Sequence, residues 1–373
     1  MIRKLLRNLS NLPGWRTRRK IVIVESDDWG SVRMPSLNIL AKLKSSGLDM
    51  ESGDSARYNQ NDTLASVADL SALFDVLLSV KDSNGRPLVF TPVSLTANPD
   101  FEKIRESGFS RYFFETLPAT FDRFGLSNAL ELWKEGIDKG IFIPQFHGRE
   151  HLNVAAWMRA LQENDRETRQ AFDLGVWGYT NKNRFNVMYQ AAFDLELASD
   201  LESQSEILSS GLDLFQQQWG FKASYFVPPN GPLNNSLENV IARKGLSYIS
   251  SPKIQIEPLG GGVTKRNFRW LGKKNKWGQS YITRNCFFEP SIPGTDWVGS
   301  CLRDISIAFR WQKPAVISTH RVNFIGGLNE SNRKNGVEAF HRLARQIISR
   351  WPEVEFMTST ELGRLMDSDR TTE

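Results

Sequence analysis

The chain has 373 residues, of which 40% are hydrophobic, 11% aromatic and 24% charged. This composition is ordinary for a globular protein and excludes a disordered or fibrous chain, and the length suffices for a core without disulfides. Its two cysteines, Cys286 and Cys301, exclude a disulfide scaffold and a cysteine-based zinc ribbon.

The net charge of +5 arises at the N-terminal end of the chain. Residues 1–20 contain seven of the 47 Lys and Arg residues and no acid, which leaves 40 basic against 42 acidic residues elsewhere. We therefore expect no nucleic-acid partner, because such a partner requires basic residues clustered on the fold itself. We interpret residues 1–18 as a basic arm that is solvated or docked as a helix, with peripheral contact to an anionic membrane as the alternative.

The sequence contains no run of about 18 apolar residues that would span a membrane. No apolar stretch of a secretory signal follows the basic residues at the start of the chain. These patterns predict a cytoplasmic protein, and any peripheral membrane contact is expected at the inner membrane surface.

Seven short apolar runs alternate with amphipathic segments along the chain. In chain order, the runs are residues 21–25, 88–91, 141–145, 223–227, 246–250, 315–319 and 354–357. Near-continuous apolar runs are typical of strands buried on both faces, and the alternation predicts an α/β fold with a parallel sheet. The spacing of the runs leaves a barrel and a doubly wound sheet as alternatives.

Two regions interrupt this alternation. Residues 152–220 contain more helical sequence than one crossover needs, which predicts a helical insertion. Residues 253–292 contain three consecutive glycines and alternating segments such as residues 268–271 and 279–283, which predict a β-hairpin insertion. We expect residues 19–370 to form a single domain that carries both insertions at its rim.

Two adjacent carboxylates, Asp27 and Asp28, follow the first predicted strand. The carboxyl ends of strands form the active-site face of α/β folds, so both side chains are candidates for chemistry. Neighbouring ionised carboxylates repel each other, and a bound cation or a shared proton relieves that repulsion. The alternative is that they cap a turn, where Asp is common.

Three histidines also follow predicted strands. His147 and His151 are four residues apart, a spacing that places two imidazoles on one face of a helix and suits a metal. His320 ends the sixth strand, where it is either a catalytic group or a structural hydrogen-bonding residue. Two histidines and one carboxylate leave a coordination position open for water, while the other carboxylate and histidine remain as base and acid. This set suits metal-assisted hydrolysis of an amide or ester.

The order of these motifs resembles that of the polysaccharide deacetylases, carbohydrate esterase family 4. The resemblance rests on D-D after strand one, H-x-x-x-H after strand three, P-P-N-G after strand four and H after strand six. It implies a distorted (β/α)7 barrel and a metal-dependent hydrolase that removes an N- or O-acetyl group from a carbohydrate or glycan precursor. The implied cofactor is a divalent metal, zinc first, with cobalt, nickel or manganese as alternatives.

The resemblance also implies roles for individual residues. Asp27 corresponds to the catalytic base and His320 to the catalytic acid. The implied metal ligands are Asp28, His147 and His151. The predicted oxyanion and sugar-binding residues are Pro229, Asn230, Gly231 and Trp29, with Trp177 and Trp297 as further stacking candidates. The predicted supporting residues are Asp296, which would orient the acid histidine, and Arg149 and Arg321.

Two departures from the family pattern bear on this mechanism. The first motif reads E-S-D-D-W-G instead of T-F-D-D-G, which adds Glu25 and Trp29. In the third motif Val227 replaces an arginine that pairs with the base in the family. The candidate substitutes for that arginine are Arg149, Arg321 and Arg33. The alternatives are therefore a catalytically inactive glycan-binding barrel and a metal-dependent hydrolase of another amide-type substrate.

Overall fold

The computed structural model of the chain describes residues 7–53, 55–181 and 185–371. Its strands are β1 (Ile21–Trp29), β2 (Phe90–Leu95), β3 (Ala97–Pro99), β4 (Phe114–Thr116), β5 (Gln145–Gly148), β6 (Tyr225–Phe226), β7 (Tyr248–Ser250), β8 (Ile254–Gly260), β9 (Val263–Phe268), β10 (Ser280–Ile282), β11 (Cys286–Phe287), β12 (Ala315–His320) and β13 (Glu355–Phe356).

The α-helices that separate the strands are α1 (Leu37–Ser45), α2 (Ser55–Asn61), α3 (Val67–Ser79), α4 (Phe101–Glu106), α5 (Leu117–Arg123), α6 (Ser127–Asp138), α7 (Val154–Gln162), α8 (Arg166–Asp173), α9 (Asp200–Trp219), α10 (Glu238–Arg243), α11 (Trp297–Arg310), α12 (Glu330–Arg350) and α13 (Ser359–Thr371). Short 3₁₀ helices cover Asn235–Leu237 and Arg321–Phe324. Within the described residues, no helix has the length and apolar character needed to cross a membrane.

A parallel sheet forms the centre of the fold. Its strand order is β10-β7-β6-β5-β2-β1-β12-β11, and β13 pairs with the start of β1. Every neighbouring pair in this order is parallel. The predicted α/β class is therefore confirmed. Because the strands run in the same direction, residues that follow different strands meet at one edge of the sheet.

The connection between β10 and β11 shows that this sheet is curled. These two strands are the first and the last in the strand order, yet only residues 283–285 join them. In a flat sheet of this order their separation would be about 34 Å, at ~4.8 Å for each strand spacing. A link of this length spans at most about 14 Å when fully extended. The strands therefore form a barrel, and the expected distorted (β/α)7 architecture is confirmed.

Apolar side chains cover both faces of the sheet. In β1, Val22 and Val24 belong to the large core between the sheet and the helices. Ile21 and Ile23, which point to the opposite face, belong to a smaller core with Tyr225. Strands buried on both faces produce the near-continuous apolar runs seen in the sequence. The polar residues that follow these runs are therefore left at the carboxyl edge.

The two insertions are shorter than their predicted extents. Helices α7 and α8 are inserted into the alternation of strands and helices. Helix α9 instead contacts β5 and belongs to the helical layer of the barrel. The hairpin consists of β8 and β9, whereas β10 and β11 return to the main sheet. The predicted ranges 152–220 and 253–292 are wrong in this respect. Strands of two or three residues carry too little pattern to be recognised before their pairing is known.

The described part of the basic arm is docked on the barrel. Lys313 Nζ donates hydrogen bonds to the carbonyl oxygens of Pro13, Gly14 and Trp15 at 2.9, 2.5 and 2.7 Å. The peptide N–H of Trp15 donates to the carbonyl oxygen of Leu271 at 2.8 Å. These contacts fix residues 13–15 beside the connection that leads from the hairpin to β10.

Candidate active site

An irregular end of β1 directs two adjacent carboxylates into one cavity. Neighbouring side chains of a regular strand point to opposite faces. The pairing of β1 with β2 shifts between Ser26 and Trp29, and Asp28 has a left-handed backbone with φ of 73°. An irregularity of this kind re-aims side chains at the rim of a barrel. As a result, Asp27 and Asp28 both line the cavity at the carboxyl edge.

Asp28, His147 and His151 form a group that could hold a metal ion. Oδ1 of Asp28 lies 3.3 Å from Nε2 of His147 and 3.0 Å from Nε2 of His151. The three ligand atoms all lie within 4.8 Å of one another. The histidines converge without the helix that their spacing suggested, because His147 lies within β5 and His151 lies in the bend before α7.

The protonation of these side chains fits a divalent metal. His147 Nδ1 lies 2.7 Å from the carbonyl oxygen of Val227 and must donate to it, which leaves Nε2 available to an ion. Burial lowers the pKa of His151, although Asp28 opposes this, and favours the neutral imidazole that metals bind. Burial alone would raise the pKa of Asp28, but the facing histidines hold it well below its usual range. The carboxylate is therefore ionised.

Arg284 supplies the cation that the third motif lacks. Its two terminal nitrogens each donate a hydrogen bond of 2.6 Å to Asp27, and its Nε donates one of 2.6 Å to Glu25. Burial alone would raise the pKa of Asp27, but the Arg284 guanidinium holds it below its usual range. Glu25 is buried and also accepts from the hydroxyls of Tyr225 and Ser359 at 3.0 and 2.6 Å. Asp27 is therefore an ionised and fixed carboxylate.

The arginines predicted to substitute for that cation lie elsewhere. Arg149 pairs with Glu150 at 2.5 Å, and Arg321 pairs with Asp62 at 2.9 Å. Arg33 lines the adjoining part of the cavity. The prediction that Arg149 or Arg321 supports the base is wrong, because each guanidinium is held by a different buried acid.

Glu289 orients the histidine that ends β12. Its Oε1 lies 2.5 Å from Nδ1 of His320, and Nε2 of this histidine lies 3.9 Å from Oδ2 of Asp27. Burial alone would lower the pKa of His320, but the Glu289 carboxylate raises it to about 9. The imidazole is therefore protonated at neutral pH. Arg57 and Asn323 donate hydrogen bonds to the other oxygen of Glu289 and fix it.

Asp296 does not take the role predicted for it. Its carboxylate caps the start of α11 and accepts a hydrogen bond of 2.9 Å from the peptide N–H of Gly299. It is exposed, and His320 is held by Glu289 instead. The prediction that Asp296 orients His320 is therefore wrong, because a helix cap satisfies its carboxylate first.

The tryptophans predicted to stack on a sugar have different environments. Trp29 is 1% exposed, and its ring makes edge contacts with aromatic rings of the core, so its prediction as a sugar-stacking residue is wrong. Trp177 lines the cavity and stacks on His151, with ring centroids 6.1 Å apart. Trp297 donates its indole N–H to the carbonyl oxygen of Ile292.

Two adjoining cavities of about 310 Å³ each meet at the site. They share Asp28, His151, Asn230 and His320. The remaining walls of the first include Arg33, Tyr58, Asp62, Trp177 and Gln190. The remaining walls of the second include Asp27, His147, Gly231, Pro252, Arg284 and Phe287. Such a combination of polar groups with aromatic and apolar surface is typical of small-molecule sites.

The segment predicted to bind an oxyanion contributes Asn230 and Gly231 to the cavity wall. Both have positive φ angles, 56° and 94°, so the chain turns sharply there. The Gly231 N–H is used within this turn, where it donates to the carbonyl oxygen of Pro228 at 3.0 Å. Pro229 is buried and has no N–H to donate. Within this segment, the peptide N–H of Asn230 is therefore the candidate donor.

Sequence reasoning did not find Arg284 and Glu289, although both obey the rule that identified the histidines. Arg284 follows β10 and Glu289 follows β11, so each lies at the carboxyl edge of the sheet. Both lie in residues 253–292, which the sequence predicts to be a hairpin insertion outside the strands of the barrel. A charged residue after each short apolar run is the signal that could have found them.

No protein-family model and no curated protein sequence matches the chain. Among solved structures, it is similar to a Mycobacterium smegmatis protein provisionally described as a polysaccharide deacetylase, at 10% identity and a TM-score of 0.45, covering 96% of this chain and 94% of that one. A family 4 acetyl xylan esterase from Clostridium thermocellum is similar at 11% identity, a TM-score of 0.40, and 93% and 91% coverage. An allantoinase is similar at 9% identity, a TM-score of 0.48, and 94% and 91% coverage. We assign neither family nor activity from similarities of this size.

Proposed function

We propose that this chain is a metal-dependent hydrolase that removes an N- or O-acetyl group from a carbohydrate or glycan precursor. One observation carries the proposal: an ionised carboxylate, Asp27, and a protonated imidazole, His320, line the same cavity as the candidate metal ligands. Hydrolysis of an amide or ester needs a base for the attacking water and an acid for the leaving group. The chain presents both groups in the required protonation states.

Asp28, His147 and His151 would hold the metal, with zinc as the first candidate. A divalent ion in such a set supplies a Lewis acid that polarises a carbonyl and lowers the pKa of water. Asp27 accepts a proton from the attacking water, while Arg284 keeps its carboxylate in position.

His320 completes the reaction by donating a proton to the leaving nitrogen or oxygen, since an unprotonated amine anion leaves very slowly. Glu289 holds that histidine protonated. The peptide N–H of Asn230 stabilises the charge that develops on the acetyl oxygen.

The inactive glycan-binding barrel is less well supported than the hydrolase. It relied on the missing arginine of the third motif, and Arg284 pairs with Asp27 in its place. Hydrolysis of another amide-type substrate uses the same groups, so a substrate panel must separate it from sugar deacetylation. The expected substrate is an acetylated sugar, and the cytoplasmic location remains a prediction.

The test compares metal content with turnover. Divalent metal is measured by plasma mass spectrometry on protein purified without a chelator or affinity tag, and acetate release is followed on a panel of acetylated sugars and simple amides. We expect about one metal ion per chain. The Asp27→Asn variant should keep the metal and lose turnover, whereas the His147→Ala variant should lose both. His341→Ala, a change on α12, is the matched control. Equal metal loss in Asp27→Asn and His147→Ala would contradict the division of roles, and a chain that takes up no Zn²⁺ would contradict the hydrolase.

A further inference from the structure

Exposed apolar residues cluster where the basic arm meets the β8–β9 hairpin. Antiparallel pairing places Ile254 opposite Phe268 and Ile256 opposite Arg266, so these four side chains share one face of the hairpin. Ile254 is 52% exposed and Phe268 is 63% exposed. The opposite face is buried at Gln255. The hairpin therefore presents an apolar face that the rest of this chain leaves uncovered in the described residues.

The arm lies against the base of this hairpin. Lys253 Nζ donates a hydrogen bond of 3.1 Å to Ser10 Oγ, and residue 253 directly precedes β8. Leu9 and Leu12, on either side of this contact in the arm, are 48% and 38% exposed. We name the combined area the arm–hairpin surface. It consists of Leu9, Leu12, Arg16, Ile254, Ile256, Arg266, Phe268 and Lys273.

The sequence segments that form this region are rich in cations. Residues 7–18 contain three Lys or Arg residues and no acidic residue. Residues 253–278 contain seven Lys or Arg residues and one acidic residue, Glu257. Glu257 is buried and accepts hydrogen bonds from Asn235 and Asn267. Acids of other segments pair with at least three of these ten cations, and the chain beyond residue 20 is almost balanced, so the excess that remains is local. Apolar side chains surrounded by cations match an anionic lipid surface.

We propose that the arm–hairpin surface docks the protein on an anionic lipid bilayer. The exposed apolar side chains would enter the head-group region, and the surrounding cations would bind the lipid charges. A second copy of the chain is a poor occupant, because a two-fold interface would bring two cationic surfaces together. A nucleic acid would use the cations but would leave Ile254 and Ile256 in water.

The docked orientation would bring the candidate active site close to the head groups. A cavity lies between the arm and the hairpin base, lined by Ser10, Lys253 and Pro252 among others. Its wall also contains Phe287 and Arg284, which line the active-site cavity as well. The bilayer would therefore lie beside a cavity that shares wall residues with the candidate site. None of the residues that define the arm–hairpin surface is a candidate ligand, base or acid, so docking and hydrolysis can be tested separately.

Vesicle co-sedimentation tests the proposal. We expect the full chain to bind phosphatidylcholine vesicles that contain about 30% phosphatidylglycerol and not vesicles of phosphatidylcholine alone. The double variant Ile254→Ser/Phe268→Ser should bind at least about ten-fold more weakly. Arg266→Gln should weaken binding about five-fold, the effect of one cation near such a surface, and added salt should act in the same direction.

Matched controls replace residues of the same type elsewhere. Val67→Ser/Leu78→Ser removes two exposed apolar side chains of α3, and Lys134→Gln removes an exposed cation of α6. Both should bind like the unmodified chain, and circular dichroism verifies the fold of every variant. Absence of binding to the anionic vesicles, or binding that Ile254→Ser/Phe268→Ser leaves unchanged, would overturn the proposal. A dimer in analytical ultracentrifugation that this double variant dissociates would identify a second copy as the occupant and would also overturn it.

Discussion

Arg284 binds Asp27 through both terminal nitrogens of its guanidinium, at 2.6 Å each, although 257 positions separate the two residues in the chain. Asp27 ends the regular part of β1, and Arg284 lies in the short link that closes the barrel between β10 and β11. The closure of the sheet therefore creates the pair. The remaining nitrogen of Arg284, Nε, binds Glu25. One guanidinium therefore neutralises part of the charge of two buried carboxylates.

Removal of this guanidinium is expected to destabilise the fold as well as the site. In Arg284→Gln, Asp27 and Glu25 would remain buried without a cation, and loss of one partner of a buried ion pair costs about 3–5 kcal/mol. Urea unfolding measures the free energy, and acetate release measures turnover, which we expect to fall at least about ten-fold. Arg105→Gln removes an exposed pair with Asp173 and should cost no more than about 1 kcal/mol. Equal costs for the two variants would contradict the buried network.

The pH dependence of turnover should report the protonation of His320. Its pKa of about 9 means that the acid is protonated at neutral pH and loses its proton as the pH rises through about 9. Activity should therefore fall on the basic side near that pH. Glu289→Gln removes the carboxylate that raises the pKa, so the basic limb should move toward the ordinary histidine value of about 6.5. A pH profile of kcat/KM measures the shift, with Glu330→Gln, an exposed residue of α12, as the control. An unmoved limb in Glu289→Gln would exclude this pair as its origin.

The same ion pair should make stability depend on pH. Because the folded-state pKa of His320 is above its ordinary value, its protonation stabilises the folded protein fully below about pH 6.5. That contribution is lost as the pH rises through about 9. The difference in unfolding free energy between the unmodified chain and His320→Gln should therefore shrink between these limits. Denaturant titrations at a series of pH values measure it, and a constant difference would argue against a raised pKa.

Metal binding should stabilise the folded chain. An ion that binds the folded state alone, at 100 times its dissociation constant, adds about 2.7 kcal/mol to the free energy of unfolding. We expect added Zn²⁺ to raise the melting temperature of protein treated with a chelator. His147→Ala should abolish this shift because it removes a candidate ligand, whereas His341→Ala should keep it. A shift of equal size in His147→Ala would place the ion elsewhere.

Trp29 should behave as a core residue and not as a ligand-binding residue. Its ring lies against Phe90, Trp133 and Phe142 at centroid distances of 5.9, 5.7 and 5.0 Å. Trp29→Ala should lower the free energy of unfolding by about 3–5 kcal/mol, the usual cost of removing a buried aromatic ring. Trp277→Ala, at a ring that is 41% exposed, provides the control and should cost far less. Chemical denaturation compares the two, and a cost below about 1 kcal/mol for Trp29→Ala would contradict the buried assignment.

Looking for polar residues after predicted strands was sufficient to find the candidate metal ligands. It was insufficient to find the residues that hold Asp27 and His320 in place. Asp28, His147 and His151 each follow a five-residue apolar run by two to six positions, so local patterns identified them before any contact was known. Arg284 and Glu289 follow strands of three and two residues, which are too short to show a recognisable pattern of apolar residues. The errors at Arg149, Arg321 and Asp296 have the same origin, because a side chain's partner depends on which segments meet in space.

Local patterns were thus enough to predict the α/β class, the direction of the strands and the edge of the sheet that carries the candidate site. The reason is that burial on both faces and residue spacing produce a regular pattern along the chain. The curvature of the sheet, the membership of β10 and β11 and the pairing of Arg284 with Asp27 arise only when distant segments close into a barrel. Such contacts depend on the positions of all the strands together. Local sequence patterns therefore cannot predict these contacts between distant segments.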